Sequence, residues 1–343
     1  MGKIELDHTG SGGGITLSSD GTSLLLGGTA IGGSALELYA ENPSSPTAPN
    51  ASGTNAVAIG KSSVSGGGSS IAIGASASSG GNLSSALGFN ATVGSSGSYS
   101  AAIGQAYSNG SDAFAAAIAS NSSSYGATGT QSIAMGYQCK ATGANTVSIG
   151  QNNTVSGSNA TAIGYFNTAS GYYTTALGYD NTTSGAFGHA IGYQAVSDVK
   201  GKGAYASGAF SADGDAQTGL FTLRSDTTDA TAEAMTTDNS AAGTNDQIVV
   251  PSNAAFAFHG TIVAKQSGSA NAAAWKVEGL IVNNGGTTTL TNSATTVIDN
   301  TPSWGMALSA DDTNDALAIT VTGAASTNIR WVATIHTSEV TYA

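Results

Sequence analysis

Charged side chains are scarce in this sequence, and basic ones are the scarcest. Lys, Arg, Asp and Glu make up 9% of the 343 residues, and nine basic residues stand against 21 acidic ones, for a net charge of −12. Nucleic-acid binding depends on clustered Lys and Arg, and no stretch gathers more basic residues than Lys200 and Lys202. The composition therefore predicts a protein that does not bind nucleic acid.

Cysteine, long apolar runs and an N-terminal leader pattern are also lacking. Cys139 is the single cysteine, which excludes an intrachain disulfide framework and a multi-cysteine metal site, so we interpret it as a small buried residue. No run approaches the roughly 18 apolar residues of a membrane span. The first residues, MGKIELDHTG, lack the apolar core of a secretory signal. We expect synthesis in a cytoplasm, no membrane insertion, and an exit from the cell by another route.

Glycine is abundant, with 48 residues, and much of it is periodic. Between residues 55 and 200 a tripeptide of a small residue, an apolar residue and glycine recurs at intervals of 14, 14, 16, 15, 17, 14, 14, 14 and 14 residues. The fifth copy, Ala117-Ile118-Ala119, lacks the glycine. The ten copies begin at Ala58, Ala72, Ala86, Ala102, Ala117, Ala134, Ser148, Ala162, Ala176 and Ala190.

A unit of 14 residues fits two short strands joined by two tight turns. The tripeptide glycine and a second glycine midway are interpreted as the turn residues, because glycine adopts positive φ without steric cost. Helix is disfavoured, since each glycine costs about 1 kcal/mol relative to alanine. The sequence therefore predicts an all-β fold with a parallel β-solenoid, whose coils stack at ~4.8 Å.

Stacking at a fixed spacing aligns equivalent side chains into ladders. We predict an apolar ladder that fills the interior of the rod, an amide ladder whose members hydrogen-bond to one another, and an aromatic ladder. The apolar ladder comprises Ile59, Ile73, Leu87, Ile103, Ile149, Ile163, Leu177 and Ile191. The amide ladder comprises Asn153, Asn167 and Asn181, and the aromatic ladder Tyr165, Tyr179 and Tyr193.

Residues suited to catalysis or metal binding are sparse and scattered. Asp112 and Asp180 are the carboxylates between residues 55 and 197; five coils separate them by roughly 24 Å, whereas a glycosidase pair lies about 5–10 Å apart. His189 shares a column with threonines and is interpreted as a polar ladder residue, with a metal on an assembly axis as the alternative. The Asp213-Gly214-Asp215 turn lacks the other ligands of a calcium loop and is interpreted as solvated. We predict no enzyme and no cofactor.

A single solenoid of this width buries little. One large apolar residue and a few alanines per coil do not offset a backbone entropy cost of ~1–2 kcal/mol per residue. The strand Ala56-Val57-Ala58-Ile59 is apolar on both faces, so its second face needs a partner. Several copies around one axis supply that partner, and we predict a homotrimer.

The flanking regions have different compositions. In residues 1–54, the stretch 15-ITLSSDGTSLLL-26 predicts a hairpin around Asp20-Gly21, and 41-ENPSSPTAPNASGTN-55 predicts an extended linker. Residues 201–343 contain all three tryptophans. Alternating stretches at 254–265, 273–282, 316–322 and 328–337 predict a C-terminal antiparallel β-sandwich or jelly-roll domain. The predicted domains are thus 1–54, 55–200 and 201–343.

Two resemblances can be stated from these residues. The 55-NAVAIG-60 repeat resembles the head repeat of trimeric autotransporter adhesins, which implies a left-handed parallel β-roll whose three chains form one rod. The flanks, 15-ITLSSDGTSLLLGGTAIGG-33, 214-GDAQTGLFTLRSDTTDA-230 and residues 304–343, resemble fibre proteins of tailed bacteriophages, notably those that infect marine bacteria. That resemblance implies a trimeric virion appendage with its N-terminal region toward the particle.

These observations predict a non-enzymatic tail fibre of a virion. The N-terminal region would bind other virion proteins, the solenoid would act as a spacer, and the C-terminal domain would bind a host-surface glycan or protein through exposed Tyr and Trp. No individual contact residue is predicted. The alternatives are a head fibre or decoration without a specific receptor, a polysaccharide depolymerase and a bacterial adhesin.

Overall fold

The structure, a computed structural model, describes residues 47–117 and 124–342, together with the backbone of four short N-terminal strands. These strands form an antiparallel sheet in chain order: Ile4–Leu6, Ile15–Ser19, Leu24–Leu26 and Thr29–Ile31. The two strands of the predicted hairpin pair antiparallel, with Leu17 opposite Leu26. The Asp20-Gly21 turn and most of the predicted linker lie outside the described residues.

The repeat region forms two parallel sheets of eleven strands each, so the predicted all-β parallel solenoid is confirmed. The long-strand sheet contains Val57–Ile59, Ile71–Ile73, Ser85–Leu87, Ala101–Gly104, Phe114–Ala117, Ile133–Tyr137, Val147–Gln151, Thr161–Tyr165, Thr175–Tyr179, His189–Tyr193 and Gly203–Ser207. The short-strand sheet contains Asn50–Ala51, Val64–Ser65, Ser78–Ser79, Thr92–Val93, Tyr107–Ser108, Gly126–Ala127, Lys140–Ala141, Thr154–Val155, Thr168–Ala169, Thr182–Thr183 and Val196–Ser197.

The solenoid is longer than the sequence period alone indicates. Asn50–Ala51 already pairs in parallel with Val64–Ser65, so the prediction of an extended linker through residue 55 is wrong at its C-terminal end. At the other end, Gly203–Ser207 pairs with His189–Tyr193 and adds one further strand. Eleven coils at ~4.8 Å give a shaft of roughly 50 Å. Its left-handed sense stays a prediction of the resemblance.

The two glycines of each repeat have different roles. Gly164, in the tripeptide, has φ +124°, and a Cβ there would lie 2.0 Å from the carbonyl oxygen of Gly178. Gly157, midway in the repeat, has no positive φ, but a Cβ would lie 1.9 Å from the Gly171 carbonyl oxygen. The turns themselves place non-glycine residues in the left-handed region, including Asn152 and Asn159. The midway glycines are therefore required for close coil stacking rather than for positive φ.

The prediction that the isoleucine ladder fills the rod is wrong. At this position the shaft interior holds the residue one earlier in each tripeptide, mostly alanine, as at Ala162 and Ala176, which are fully buried. Their neighbours Ile163 and Leu177 point outward and are 38% and 42% exposed. Adjacent residues of a strand face opposite sides, and the space between the two sheets accommodates only the smaller side chain.

The C-terminal region is an antiparallel sandwich. Its larger sheet contains, in spatial order, Ala216–Thr227, Ile329–Thr341, Ala254–Gln266, Ala272–Asn283 and Thr288–Asp299. Ala216–Thr227 also pairs with the last shaft strand, so the shaft and the sandwich share one continuous sheet. The smaller sheet contains Ala232–Ala234, Ile248–Val249, Gly305–Asp311 and Ala316–Thr322.

The sandwich core lies between these two sheets. Trp331 stacks on Trp275 and meets Trp304 edge-on, both at a centroid distance of 5.7 Å. Phe221 and Ile319 belong to the same buried cluster. Alternation in the sequence identified four of the nine described sandwich strands. The strands that were not predicted are Ala216–Thr227, Ala232–Ala234, Ile248–Val249, the Thr-rich Thr288–Asp299 and Gly305–Asp311.

Candidate functional site

The outer face of the long-strand sheet is apolar along most of the shaft. The column of Ile163 and Leu177 continues into Ile191 at 38% exposure and Ile73 at 39%. Strand pairing places Ile163 directly opposite Leu177. In the fifth coil Ala116 pairs with Ile103 and Met135, so the predicted start of that copy at Ala117 is wrong and the column holds a small residue there. A row of half-exposed Ile, Leu and Met along most of a monomer marks a contact surface. We call this row, with its flanking Val57, Ile71, Ile133 and Val147, the apolar face.

The outer face of the short-strand sheet is different. Thr154, Thr168 and Thr182 pair in register there. Lys140 precedes them and Val196 follows. This face can remain hydrated, because hydroxyl and ammonium groups bond to water. One side of the shaft therefore suits contact with another protein surface, and the other suits contact with water.

The amide ladder lies inside the shaft. Asn167 accepts from the Asn181 backbone N–H at 3.0 Å, and its Nδ2 donates to Asn153 Oδ1 at 3.1 Å and to the Gly178 carbonyl at 2.7 Å. All three asparagines are fully buried. The Asn167 amide is thus satisfied by the coils on both sides, which stabilises the stacking.

Cys139 occupies the same column as the amide ladder. Its Sγ donates to the Met135 carbonyl at 3.2 Å, as Asn153 Nδ2 donates to the Ile149 carbonyl at 2.8 Å. Burial raises the pKa of the Cys139 thiol. The cysteine is thus a buried ladder residue rather than a reactive thiol.

Aromatic side chains line both edges of the apolar face. Tyr165 stacks on Tyr179 at 5.1 Å, and Tyr179 meets Tyr193 edge-on at 4.8 Å. At the opposite edge Tyr173 stacks on Phe187 at 5.6 Å, a pair that sequence reasoning missed. Tyr173 and Phe187 both have positive φ, which is uncommon for bulky residues. Their 14-residue spacing was the available signal.

The other candidate polar residues are separated. His189 lies opposite Thr175 in the long-strand sheet, as its column indicated. Within the described residues no group of three or more His, Cys, Asp or Glu side chains is placed to hold a metal ion. No helix in the described part of the chain could span a membrane.

The interpretation of Asp213-Gly214-Asp215 as a solvated turn is wrong for Asp215. Asp215 is buried, and its carboxylate accepts from the backbone N–H groups of Phe210, Ser211 and Ala212 at 2.7–2.9 Å. These hydrogen bonds lower the pKa of Asp215. The carboxylate thus holds together the loop that connects the shaft to the sandwich, and its oxygens already accept hydrogen bonds from that loop.

A buried ion pair joins the shaft to the sandwich. Lys202 Nζ lies 2.9 Å from Glu339 Oε2, and both side chains are almost fully buried. Gln217 Nε2 donates to the same oxygen at 2.8 Å, and Thr337 Oγ1 donates to Glu339 Oε1 at 2.6 Å. Lys202 comes from the last shaft coil and Glu339 from the end of the chain, so this network fixes the orientation of the two regions.

The prediction that exposed tryptophans contact a glycan is wrong. Trp275, Trp304 and Trp331 are all buried in the sandwich core. Trp331 Nε1 donates to Thr227 Oγ1 at 3.0 Å, so its one polar atom is satisfied internally. The exposed aromatic residues after residue 200 are Tyr205 in the last shaft strand, Phe210 in the connecting loop and Tyr342 after the last sandwich strand.

A known family of repeats matches the sequence of the shaft. The YadA head domain repeat matches five stretches, residues 51–77, 127–153, 141–167, 156–181 and 169–195. All lie in the solenoid and together they cover less than half of the chain. No curated protein matches the sequence. The matches support an adhesin-like fibre shaft, a type of element that is typically structural.

Proposed function

We propose that this chain is the subunit of a non-enzymatic homotrimeric fibre, whose shaft holds the C-terminal sandwich away from its point of attachment. The observation that carries the proposal is the apolar face, which a lone chain leaves half-exposed over most of the shaft. The matches to the YadA head repeat support the same assembly.

The dimensions of the shaft suit three copies. A five-residue strand is about 17 Å wide at ~3.3 Å per residue. Three such sheets as the sides of a triangle lie roughly 5 Å from the common axis, which matches half of the ~10 Å between packed sheets. The apolar faces then fill the axis, and the threonine rows face water.

Native mass measurement tests this assembly. The wild-type chain has a mass of 33.4 kDa, and we expect the intact species at three times that value. Ile163→Asp combined with Leu177→Asp places six carboxylates at the axis and should dissociate the trimer. Thr168→Asp combined with Thr182→Asp adds the same charge to the hydrated face and should leave it intact. A monomeric wild type would refute the proposal.

We further propose that the fibre belongs to a virion, as a tail fibre of a tailed bacteriophage. In this assignment the N-terminal region binds other virion proteins and the sandwich contacts the host surface. The support is the resemblance of the flanking sequences to phage fibres. Gold-labelled antibody on intact particles tests it, with label at the tail expected. Label on the capsid would favour a head fibre or decoration, and label on uninfected bacterial cells would favour an adhesin.

A further inference from the structure

The basic residues of this acidic chain are unevenly distributed. Four of the nine basic residues, Arg224, Lys265, Lys276 and Arg330, point outward from the larger sheet of the sandwich. Lys276 is paired with Glu278 at 3.6 Å on the surface. Arg224 and Arg330 make no ion pair with any residue in the described part of the chain. The outward face of the larger sheet thus gathers basic side chains on a molecule whose net charge is −12.

This positive charge lies on the part of the sheet that extends beyond the shaft. Of the strand Ala216–Thr227, only Thr218–Leu220 pairs with the last shaft strand. Asp226 is six residues past Leu220, roughly 20 Å at ~3.3 Å per residue. Register places Asp226 opposite Arg330, and Arg330 opposite Lys265. These side chains therefore lie at the outer margin of the molecule, clear of the apolar face of the same chain.

A cavity of about 450 Å³ opens at this margin. Its charged lining residues are Lys265, Arg330 and Asp226, so its net charge is positive. The rest of the lining is mainly polar and comes from strand ends and the loops that adjoin them: Thr227, Thr228, Gln266, Ser267, Asn328 and Ile329. A cavity of this size, with hydroxyls, amides and one guanidinium, fits one or two sugar rings that carry a carboxylate.

The cavity walls are held in place by hydrogen bonds. Ser267 N–H donates to the Asn328 carbonyl at 2.9 Å, and Thr327 N–H donates to the Thr228 carbonyl at 3.1 Å. Thr227 is bonded to the indole of the core residue Trp331. Polar groups fixed before binding lose little entropy on contact with a ligand.

We propose that this cavity, the Arg330 pocket, binds an acidic sugar unit of a surface polysaccharide, with Arg330 paired to its carboxylate. Lys265 adds positive charge, and Asp226, Gln266 and Asn328 bond to ring hydroxyls. The proposal rests on the proposed recognition function of the sandwich and names the ligand class. A duplex nucleic acid fits poorly, because its charge density of one phosphate per ~1.7 Å needs more basic residues than this pocket offers.

Binding of oligogalacturonate to the full-length protein tests the pocket, with neutral malto-oligosaccharide of equal length as the reference ligand. We expect calorimetric binding of the acidic oligomer at least tenfold stronger than of the neutral one. Arg330→Gln should weaken it about tenfold or more, since a bond between two charged groups is lost. Lys276→Gln removes the same charge from the same sheet outside the pocket, and should change affinity less than twofold.

Other outcomes overturn the proposal. Binding that is equal for both oligomers, or absent for the acidic one, would refute it. So would an equal effect of Arg330→Gln and Lys276→Gln, or tighter binding of duplex DNA. Native mass of the same sample separates the two proposals: a trimer that fails to bind refutes only the pocket, whereas a monomer refutes the fibre.

Discussion

Along the shaft the buried side chains are mostly alanine, serine, threonine and asparagine, whereas the sandwich buries tryptophan, phenylalanine, leucine and isoleucine. In the shaft the large apolar residues are on the outside, whereas in the sandwich the tryptophans and most of the large apolar residues lie between the sheets. The shaft is therefore stabilised by repeated hydrogen bonds and, in the proposed trimer, by contact between chains. The sandwich has a core of its own.

This difference separates two ways to stabilise a β-protein. A coil of 14 residues leaves no room for a large side chain, so burying more apolar surface requires a second chain. The five long strands of the sandwich enclose enough volume for three tryptophans within one chain. The shaft should thus depend on assembly and the sandwich should not, and the following substitutions test that contrast.

Trp331→Ala should have the largest effect. It removes the ring that contacts both Trp275 and Trp304, at a cost of about 3–5 kcal/mol to the sandwich. Calorimetry should show the sandwich transition at a lower temperature and the shaft transition unchanged. Tyr342→Ala, at an 81% exposed aromatic, is the control. A single transition that moves as a whole would contradict the independence of the two cores.

Glu339→Gln should weaken the joint between the regions. It leaves the buried Lys202 ammonium with only Asp198, 3.7 Å away and half-exposed, as a charge partner, at a cost of about 3 kcal/mol. Replacing both residues, Lys202→Met with Glu339→Leu, should restore much of the loss, because no unpaired charge stays buried.

Chemical denaturation measures these two joint variants. Glu278→Gln breaks a surface pair with 57% exposed side chains and should cost at most about 0.5 kcal/mol. An effect of Glu339→Gln no larger than that of Glu278→Gln would show that the buried pair does not join the two regions.

Asn167→Ala should destabilise the shaft by roughly 1–3 kcal/mol, since it leaves amide groups of the neighbouring coils without partners. In coils where alanine occupies this column, the backbone N–H instead donates within its own turn, as Ala77 does to the Gly74 carbonyl at 3.2 Å. Replacing Asn153, Asn167 and Asn181 together should therefore cost less than three times the single change, measured by urea denaturation. Strict additivity would argue against a coupled ladder.

Protonation of Asp238 in acid should produce the smallest loss of folding stability. Hydrogen bonding to Lys200 holds the pKa of Asp238 at about 2, below its usual 3.8. Because the folded pKa is depressed, this stabilisation is present above about pH 4 and is lost as pH falls toward 2, by roughly 1–2 kcal/mol. Comparing wild type with Asp238→Asn between pH 6 and 2 measures it. The stability advantage of wild type over Asp238→Asn should shrink on acidification, and an advantage that grows would contradict the prediction.

Much of this architecture could be predicted from single residues and their spacing. The 14-residue interval fixed the register, so that Asn167 stacks on Asn181 and Tyr165 on Tyr179 as the alignment implies. The alternating stretch 328–337 identified the strand Ile329–Thr341, although the strand runs four residues further. The strand Thr288–Asp299 was missed because its Thr, Asn and Ser side chains are exposed on both faces over most of its length, and so carry no alternation.

The sequence by itself determined the period, the strand type and the ladders, because a repeat of fixed length forces equivalent residues to stack. Only the tertiary structure decided which of two adjacent residues faces inward, since Ala162 and Ile163 are both apolar and the choice depends on the space between the sheets. It also brought Lys202 to Glu339, and Lys265 to Arg330. Those contacts depend on strand order, which joins residues far apart in the chain and leaves no local pattern.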